Sequence, residues 1–209
     1  MDRVFIISPA KSSGRRAELL FNPRAGFELA QAMQRGEQRP IGEVFSFLSG
    51  LYFRGKLAYA KRFGSVSGKR PSALVITSDR GLVPVDRAIS LADLRAFSLV
   101  PIDEHELRYR QPLARDAAAL AKYRNCEYVL LGSISTSKYV TGLLEILGER
   151  LLFPIDFVGR GDMSRGGLLL RSVRDESELA YQPVAGAIRR GKRPPKLAPA
   201  SWKGTPWQK

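Results

Sequence analysis

Three short apolar runs, Arg3–Ile7, Ala73–Thr77 and Tyr128–Leu131, are separated along the chain by stretches with helical spacing. Runs of this length bounded by small and polar residues read as buried strands. Buried strands alternating with helices point to an α/β domain in three layers around a mostly parallel central sheet. The helical patterns cover Phe27–Gln34, Ile41–Phe63, Leu91–Phe97, Leu113–Tyr123 and a stretch from Tyr139 to about Leu147. Within Ile41–Phe63, the residues Val44, Phe47, Leu48, Leu51 and Ala58 fall near one face, which marks them as core. Leu151–Val158 reads as a further strand, with Pro154 favouring an edge position or a bulge. Leu168–Val173 and Leu179–Val184 read as a closing pair of strands, and Ser8–Arg16 as a loop.

In a parallel sheet, ligands bind outside the carboxyl ends of the strands. The segments following the strands are S-P-A-K-S-S-G-R-R at Ser8–Arg16, S-D-R-G-L-V-P at Ser78–Pro84, G-S-I-S-T-S-K-Y at Gly132–Tyr139 and G-R-G-D-M-S-R at Gly159–Arg165. Each is rich in small or polar residues and carries at least one cation, and in a parallel sheet they converge on a single rim. The last lies within the glycine-rich stretch Val158–Leu169, read as a turn between two apolar runs. There Arg160 and Arg165 flank Asp162, with Ser164 beside them. Glycines admit close backbone approach and arginines grip phosphate, which suits an anionic, nucleotide-like ligand held near a carboxylate; a mobile basic turn with a local Asp–Arg pair is the competing reading.

With 34 Lys and Arg against 20 Asp and Glu, the chain carries a net charge of +14, which implies a polyanionic partner, most often nucleic acid, with an anionic membrane surface as the competitor. Residues 1–186 read as one domain and 187–209 as a basic tail. The tail holds Arg189, Arg190, Lys192, Arg193, Lys196, Lys203 and Lys209 with interleaved Trp202 and Trp207, and has no acidic residue. It reads equally as an arm on a nucleic-acid backbone and as a strap over the domain surface. No apolar run approaches the length of a membrane span, and the first residues carry no signal-peptide pattern, so a cytoplasmic monomer is expected. One cysteine, Cys126, leaves no intrachain disulfide and no multi-cysteine zinc site, and His105 is the one histidine; no metal and no cofactor are expected.

The motif order I-S-P-A-K at Ile7–Lys11, S-K-Y at Ser137–Tyr139 and R-G-D-M-S-R at Arg160–Arg165 resembles the YaaA-like peroxide-stress-resistance family. That resemblance implies a compact α/β fold with a positively charged, DNA-binding cleft. R-G-L-V-P at Arg80–Pro84 and L-V-P-I-D at Leu99–Asp103 resemble the small α/β domain accompanying archaeal tRNA-guanine transglycosylase and archaeosine synthase. That domain in turn resembles the uracil-DNA glycosylase fold, and bacterial anti-phage DNA glycosylases are a further resemblance. Together they imply nucleic acid as partner and the nucleobase–sugar bond as target.

Charge and resemblance together lead to the expectation of a DNA N-glycosylase acting on double-stranded DNA; phage DNA with modified bases as its substrate is what the resemblance alone implies. Its rivals are a non-enzymatic DNA-binding protein of the peroxide-stress type and a tRNA-modification domain. Cleaving an N-glycosidic bond builds positive charge on the sugar, which a carboxylate stabilises, and the base must first leave the stack. Asp79 and Asp162 are the candidate carboxylates, Asp79 first because a strand end is rigid; capping its own turn is the competing role. Asn22 is a candidate reader of a base edge, against turn initiation before Pro23. Tyr139 is a candidate stacking residue, against partial burial. Lys11, Arg15, Arg16, Ser137, Lys138, Arg160, Ser164 and Arg165 are candidate DNA contacts, with Arg189, Arg190, Lys192 and Arg193 in the tail. The Ser135–Lys138 run lacks P-loop spacing, which argues against nucleoside triphosphate hydrolysis. His105, among Asp103, Glu104 and Glu106, reads as part of a solvated acidic turn.

Overall fold

The computed structural model describes residues 1–195 and 197. The chain opens with β1 (Asp2–Ile7), followed by α1 (Arg15–Phe21), α2 (Glu28–Gln34), β2 (Arg39–Pro40), α3 (Ile41–Ser49) and α4 (Leu51–Phe63). Next come β3 (Ala73–Ile76), β4 (Leu82–Pro84), β5 (Ala88–Ile89), α5 (Leu91–Leu99) and α6 (Leu107–Ala121). The last part holds β6 (Cys126–Leu131), α7 (Ser137–Leu147), β7 (Leu151–Pro154), α8 (Asp162–Arg174) and β8 (Tyr181–Pro183). Six of these strands form one sheet in the order β4-β3-β1-β6-β7-β8. The inner four run parallel, while β4 and β8 pair antiparallel at the edges. The expected α/β class with a mostly parallel sheet is what forms.

Both faces of the inner strands are buried, which explains their continuous apolar runs. Phe5, Ile7, Val129 and Leu131 join the core beneath α1 to α5 and α8. Val4, Ile6, Tyr128 and Leu130 join the opposite core, beneath α6 and α7. These are the three expected layers. No helix among the described residues is long and apolar enough to cross a membrane.

The helical pattern over Ile41–Phe63 is two helices. Gly50 sits at φ 65° and ψ −129°, a conformation open to glycine, and breaks the run between α3 and α4. The expected strand at Leu168–Val173 is helix instead. Gly166 and Gly167, which read as a turn, lie inside α8, and Gly166 is packed against α4. A Cβ on Gly55 of α4 would fall 2.8 Å from the Gly166 carbonyl oxygen, so the two glycines let the helix backbones touch. Asp162 in the first turn of α8, and Arg171 and Arg174 in the last, suit the helix dipole. The expected loop Ser8–Arg16 ends early, because α1 begins at Arg15. The strand expected at Leu151–Val158 stops at Pro154 and turns through a 3-10 segment, Ile155–Phe157. β7 is also not an edge: it lies between β6 and β8, and Pro154 is tolerated because β6 pairs only with Leu151 and Leu152.

Candidate functional site

The connection from β1 to β3 carries α1 to α4 over one face of the sheet, and that from β6 to β7 carries α7 over the other. The chain therefore diverges at the carboxyl ends of β1 and β6, the place where open α/β sheets leave a crevice. A cavity of about 720 Å³ lies there. The segment after β1 supplies Ser8 and Lys11, the segment after β6 supplies Ser133 and Lys138, and α8 supplies Asp162. Tyr52 and Lys56 reach the cavity from α4, Tyr139 from α7, and Phe97 with Val100 from the end of α5.

Lys56 is the least ordinary of these groups. It is 1% exposed, although it lines the cavity. Its Nζ donates to the Ser8 carbonyl oxygen at 2.6 Å and to Ser8 Oγ at 2.8 Å. The Tyr52 ring centre lies 4.3 Å from the same nitrogen. Burial pulls the Lys56 amine down to about 7, against the opposing pull of the Asp162 charge. The Tyr52 hydroxyl is buried without a hydrogen-bond partner among the described residues, and burial raises its pKa. Tyr139 is 8% exposed and burial pushes it up to about 12, so both phenols stay protonated at neutral pH. The α4–α8 contact aligns this cluster, since Gly55 and Lys56 are neighbours on one helix and Asp162 begins the other.

Asp162 has 70% of its side chain exposed, whereas Arg165, 3.6 Å away, has 10%. Arg165 Nε and Nη2 donate to the Phe157 carbonyl at 3.2 and 3.0 Å. Arg165 thus holds the β7–α8 junction and flanks Asp162 from behind, and it is buried where a phosphate contact needs exposure. Arg160 Nη1 donates to Ser164 Oγ at 3.3 Å and to the Pro195 carbonyl at 3.5 Å, while its Nε is buried without a partner among the described residues.

Of the other expected site residues, Lys11 and Lys138 line the cavity with Asp162 and Tyr139. Ser137 does not, because its hydroxyl donates to the Glu104 carboxylate, which also accepts from Thr141 Oγ1 at 3.1 Å. Arg15 is exposed on α1, and Arg16 donates to the Phe47 carbonyl at 2.8 Å beneath the Gly50 break. Asn22 closes a turn, its Oδ1 accepting from the Arg24 backbone N–H at 2.9 Å, and it lies outside the cavity.

Asp79 also lies outside it. It faces a second hollow of about 650 Å³ with Arg108, Gln111 and Arg115; Val100 borders both hollows. The turn around it is self-contained: Thr77 Oγ1 donates to the Gly81 carbonyl at 2.9 Å and accepts from the Arg80 N–H at 3.1 Å. Asp79 Oδ1 is buried without a hydrogen-bond partner among the described residues, 3.8 Å from Arg80 Nε. Burial raises its pKa, partly offset by the Arg80 charge. Three of the four expected rim segments therefore meet, and the β3 segment stands apart.

Arg189, Arg190, Lys192 and Arg193 are exposed. The tail here runs beside the β7–α8 junction: Gly159 packs against the Lys192 carbonyl, and Gly191 against Val158. Lys196, Trp202, Lys203, Trp207 and Lys209 lie outside the described residues. Among the described residues no three His, Cys, Asp or Glu side chains are grouped to hold a metal ion.

The sequence reading missed Lys56, Tyr52 and Ser8. A signal existed for Lys56: the buried positions of α4 include Tyr52, Lys56, Tyr59 and Ala60, so a lysine sits within an apolar stripe at helical spacing. Compared with family models, curated proteins and solved structures, the chain matches none.

Proposed function

We propose that the cavity between β1 and β6 receives a nucleotide extruded from DNA, and that the protein cleaves its N-glycosidic bond. The observation that carries this reading is the pairing, in one cavity, of an accessible carboxylate, Asp162, with a buried amine, Lys56. At about 720 Å³ the space is within the roughly 300–1,000 Å³ of small-molecule sites, ample for a flipped base and its sugar. As the C1′–N bond breaks, the Asp162 carboxylate stabilises the cationic sugar. Tyr139 and Phe97 form part of the cavity wall, both of them largely buried. Lys11, Lys138 and the exposed tail cations suit the phosphates, in keeping with the +14 charge. The three-layer arrangement is compatible with the uracil-DNA-glycosylase-like fold that the resemblance implies, and the anti-phage role rests on that resemblance alone.

One observation favours a second reading. No Asn or Gln side chain is among the described residues lining the cavity, so no side-chain amide there offers its paired donor and acceptor to a base edge. A DNA-binding protein without excision activity needs none. The test is incubation with genomic DNAs carrying normal and modified bases, followed by assay for released base and abasic sites. Base release supports the glycosylase reading. Salt-sensitive binding with no release from any DNA selects the second.

A further inference from the structure

We propose that Lys56 is a covalent catalyst whose amine captures the C1′ aldehyde of an abasic sugar as an imine, so that strand cleavage follows base loss. This rests on the reading of the cavity as a sugar–base site. Its grounds are geometric. Lys56 lies in the apolar stripe of α4, where burying a charged ammonium is costly. It lines the cavity instead of reaching solvent. Among the described residues no carboxylate lies within ion-pair distance of Nζ; the two hydrogen-bond partners are the neutral oxygens of Ser8. Those two acceptors take both hydrogens of an uncharged amine and leave its lone pair for bonding. The charged groups bearing on it are Asp162, which favours the ammonium form, and Arg165, which opposes it. The outcome, with burial as the largest influence, is an amine pulled down to about 7, partly uncharged at neutral pH and so nucleophilic.

The Nζ lone pair forms a bond to C1′ of the ring-opened sugar, and the carbonyl π pair moves to oxygen, which takes one proton from the attached nitrogen and one from solvent and leaves as water. The resulting iminium acidifies C2′–H, whose proton passes to the Asp162 carboxylate. The freed electron pair forms the C2′–C3′ double bond as the C3′–O bond breaks and the phosphate departs with its electrons. Water then hydrolyses the iminium, restoring the amine and releasing an unsaturated aldehyde on the upstream strand. No oxidant, reductant or metal is consumed.

A duplex bearing a single abasic site tests this without knowledge of the base that is normally removed. It is incubated with the full chain and sodium borohydride, which reduces an imine to a stable amine. The expected result is a covalent protein–DNA adduct whose digest places the sugar on Lys56. Its formation should level off just above pH 7, where an ordinary lysine would still be gaining reactivity toward its usual 10.5. K56R, which keeps a hydrogen-bond donor but has no nucleophilic amine, should lose the adduct. Mapping on the wild-type protein serves equally if that variant does not fold. An adduct on Lys11, Lys138 or a tail lysine, or no adduct at all, overturns the proposal. Base release from modified DNA without a Lys56 adduct leaves the glycosylase reading standing and removes the imine. A Lys56 adduct without base release from any DNA keeps the imine and removes the glycosylase reading.

Discussion

The carboxyl ends of β1 and β6 and the carboxyl end of β3 carry loops of similar composition, yet they come to different ends. Where β1 and β6 meet, the following helices leave for opposite faces and the loops cannot fold onto each other. Their polar groups line a cavity, joined by Lys56 from below and Asp162 from the side. At β3 the chain returns at once into antiparallel β4, and Thr77, Arg80 and Gly81 satisfy one another. Small residues and a cation after a strand are thus shared features, and the carboxylate that joins the cavity comes from α8. What separates a cavity from a closed turn is where the next element goes.

The largest effect should come from setting the two carboxylates against each other. D162N should lower single-turnover excision by about 100-fold or more, the scale of losing one charge-stabilising group, with DNA binding retained. D79N should excise at close to the wild-type rate. Equal losses in both would erase the distinction between the two rims.

Next in size is the helix crossing that aligns the cavity. A Cβ at Gly166 would lie 2.9 Å from the Tyr52 Cα, so G166A forces α4 and α8 apart. Overpacking of this kind costs about 1–3 kcal/mol, read as a fall in Tm of roughly 2–4 °C per kcal/mol. Excision should fall further than stability alone explains, because Lys56 and Asp162 ride on the two helices. An unchanged Tm would mean that the crossing does not position the site.

The tail offers a smaller contrast between charge and packing. Replacing Arg189, Arg190, Lys192 and Arg193 by Gln should weaken DNA binding and flatten its salt dependence, by about 0.9 in log–log slope for each phosphate no longer neutralised. Tm should hold. Deleting residues 187–209 should lower Tm as well, since Gly191 and Pro195 pack along the β7–α8 junction. Binding curves at several salt concentrations, with thermal melts, separate the two.

The smallest effect concerns Asp79 and stability. Burial raises its folded-state pKa above the usual 3.8, so its ionisation works against the folded state. The stability linked to its protonated form is complete below the unfolded value and is lost as pH rises through the raised folded value. Relative to D79N, wild type should lose stability across that window and remain parallel above it. Parallel curves throughout would mean that Asp79 is not strained by burial.

The inner strands and three of the four rim segments were legible in the sequence because inner strands of a parallel sheet are buried on both faces, which leaves uninterrupted runs such as Tyr128–Leu131. Asp162, Tyr139, Lys11 and Lys138 were reachable by position after those strands. Gly166 and Gly167 mislead because a glycine pair reads alike in a turn and at a close helix crossing, and only the partner helix decides. Asn22 and Ser137 stand out by type, but their hydrogen bonds go to Arg24 and Glu104, and the pairing with Glu104 spans a distance the sequence does not encode. Lys56 reads as one more surface charge, although its place in the stripe of Tyr52, Tyr59 and Ala60 marks it.

The central claim, that Asp162 faces a cationic sugar in the β1/β6 cavity, is tested most directly by comparing two abasic-site analogues in otherwise identical duplexes. One carries a cationic pyrrolidine in place of the sugar, the other a neutral tetrahydrofuran. Wild type and D79N should bind the cationic analogue about 10- to 100-fold more tightly, a coupling of roughly 1.4–2.7 kcal/mol at a site built for developing positive charge. D162N should bind both alike. A preference that persists in D162N, or that disappears in D79N, would place the charge-stabilising carboxylate elsewhere and contradict the account.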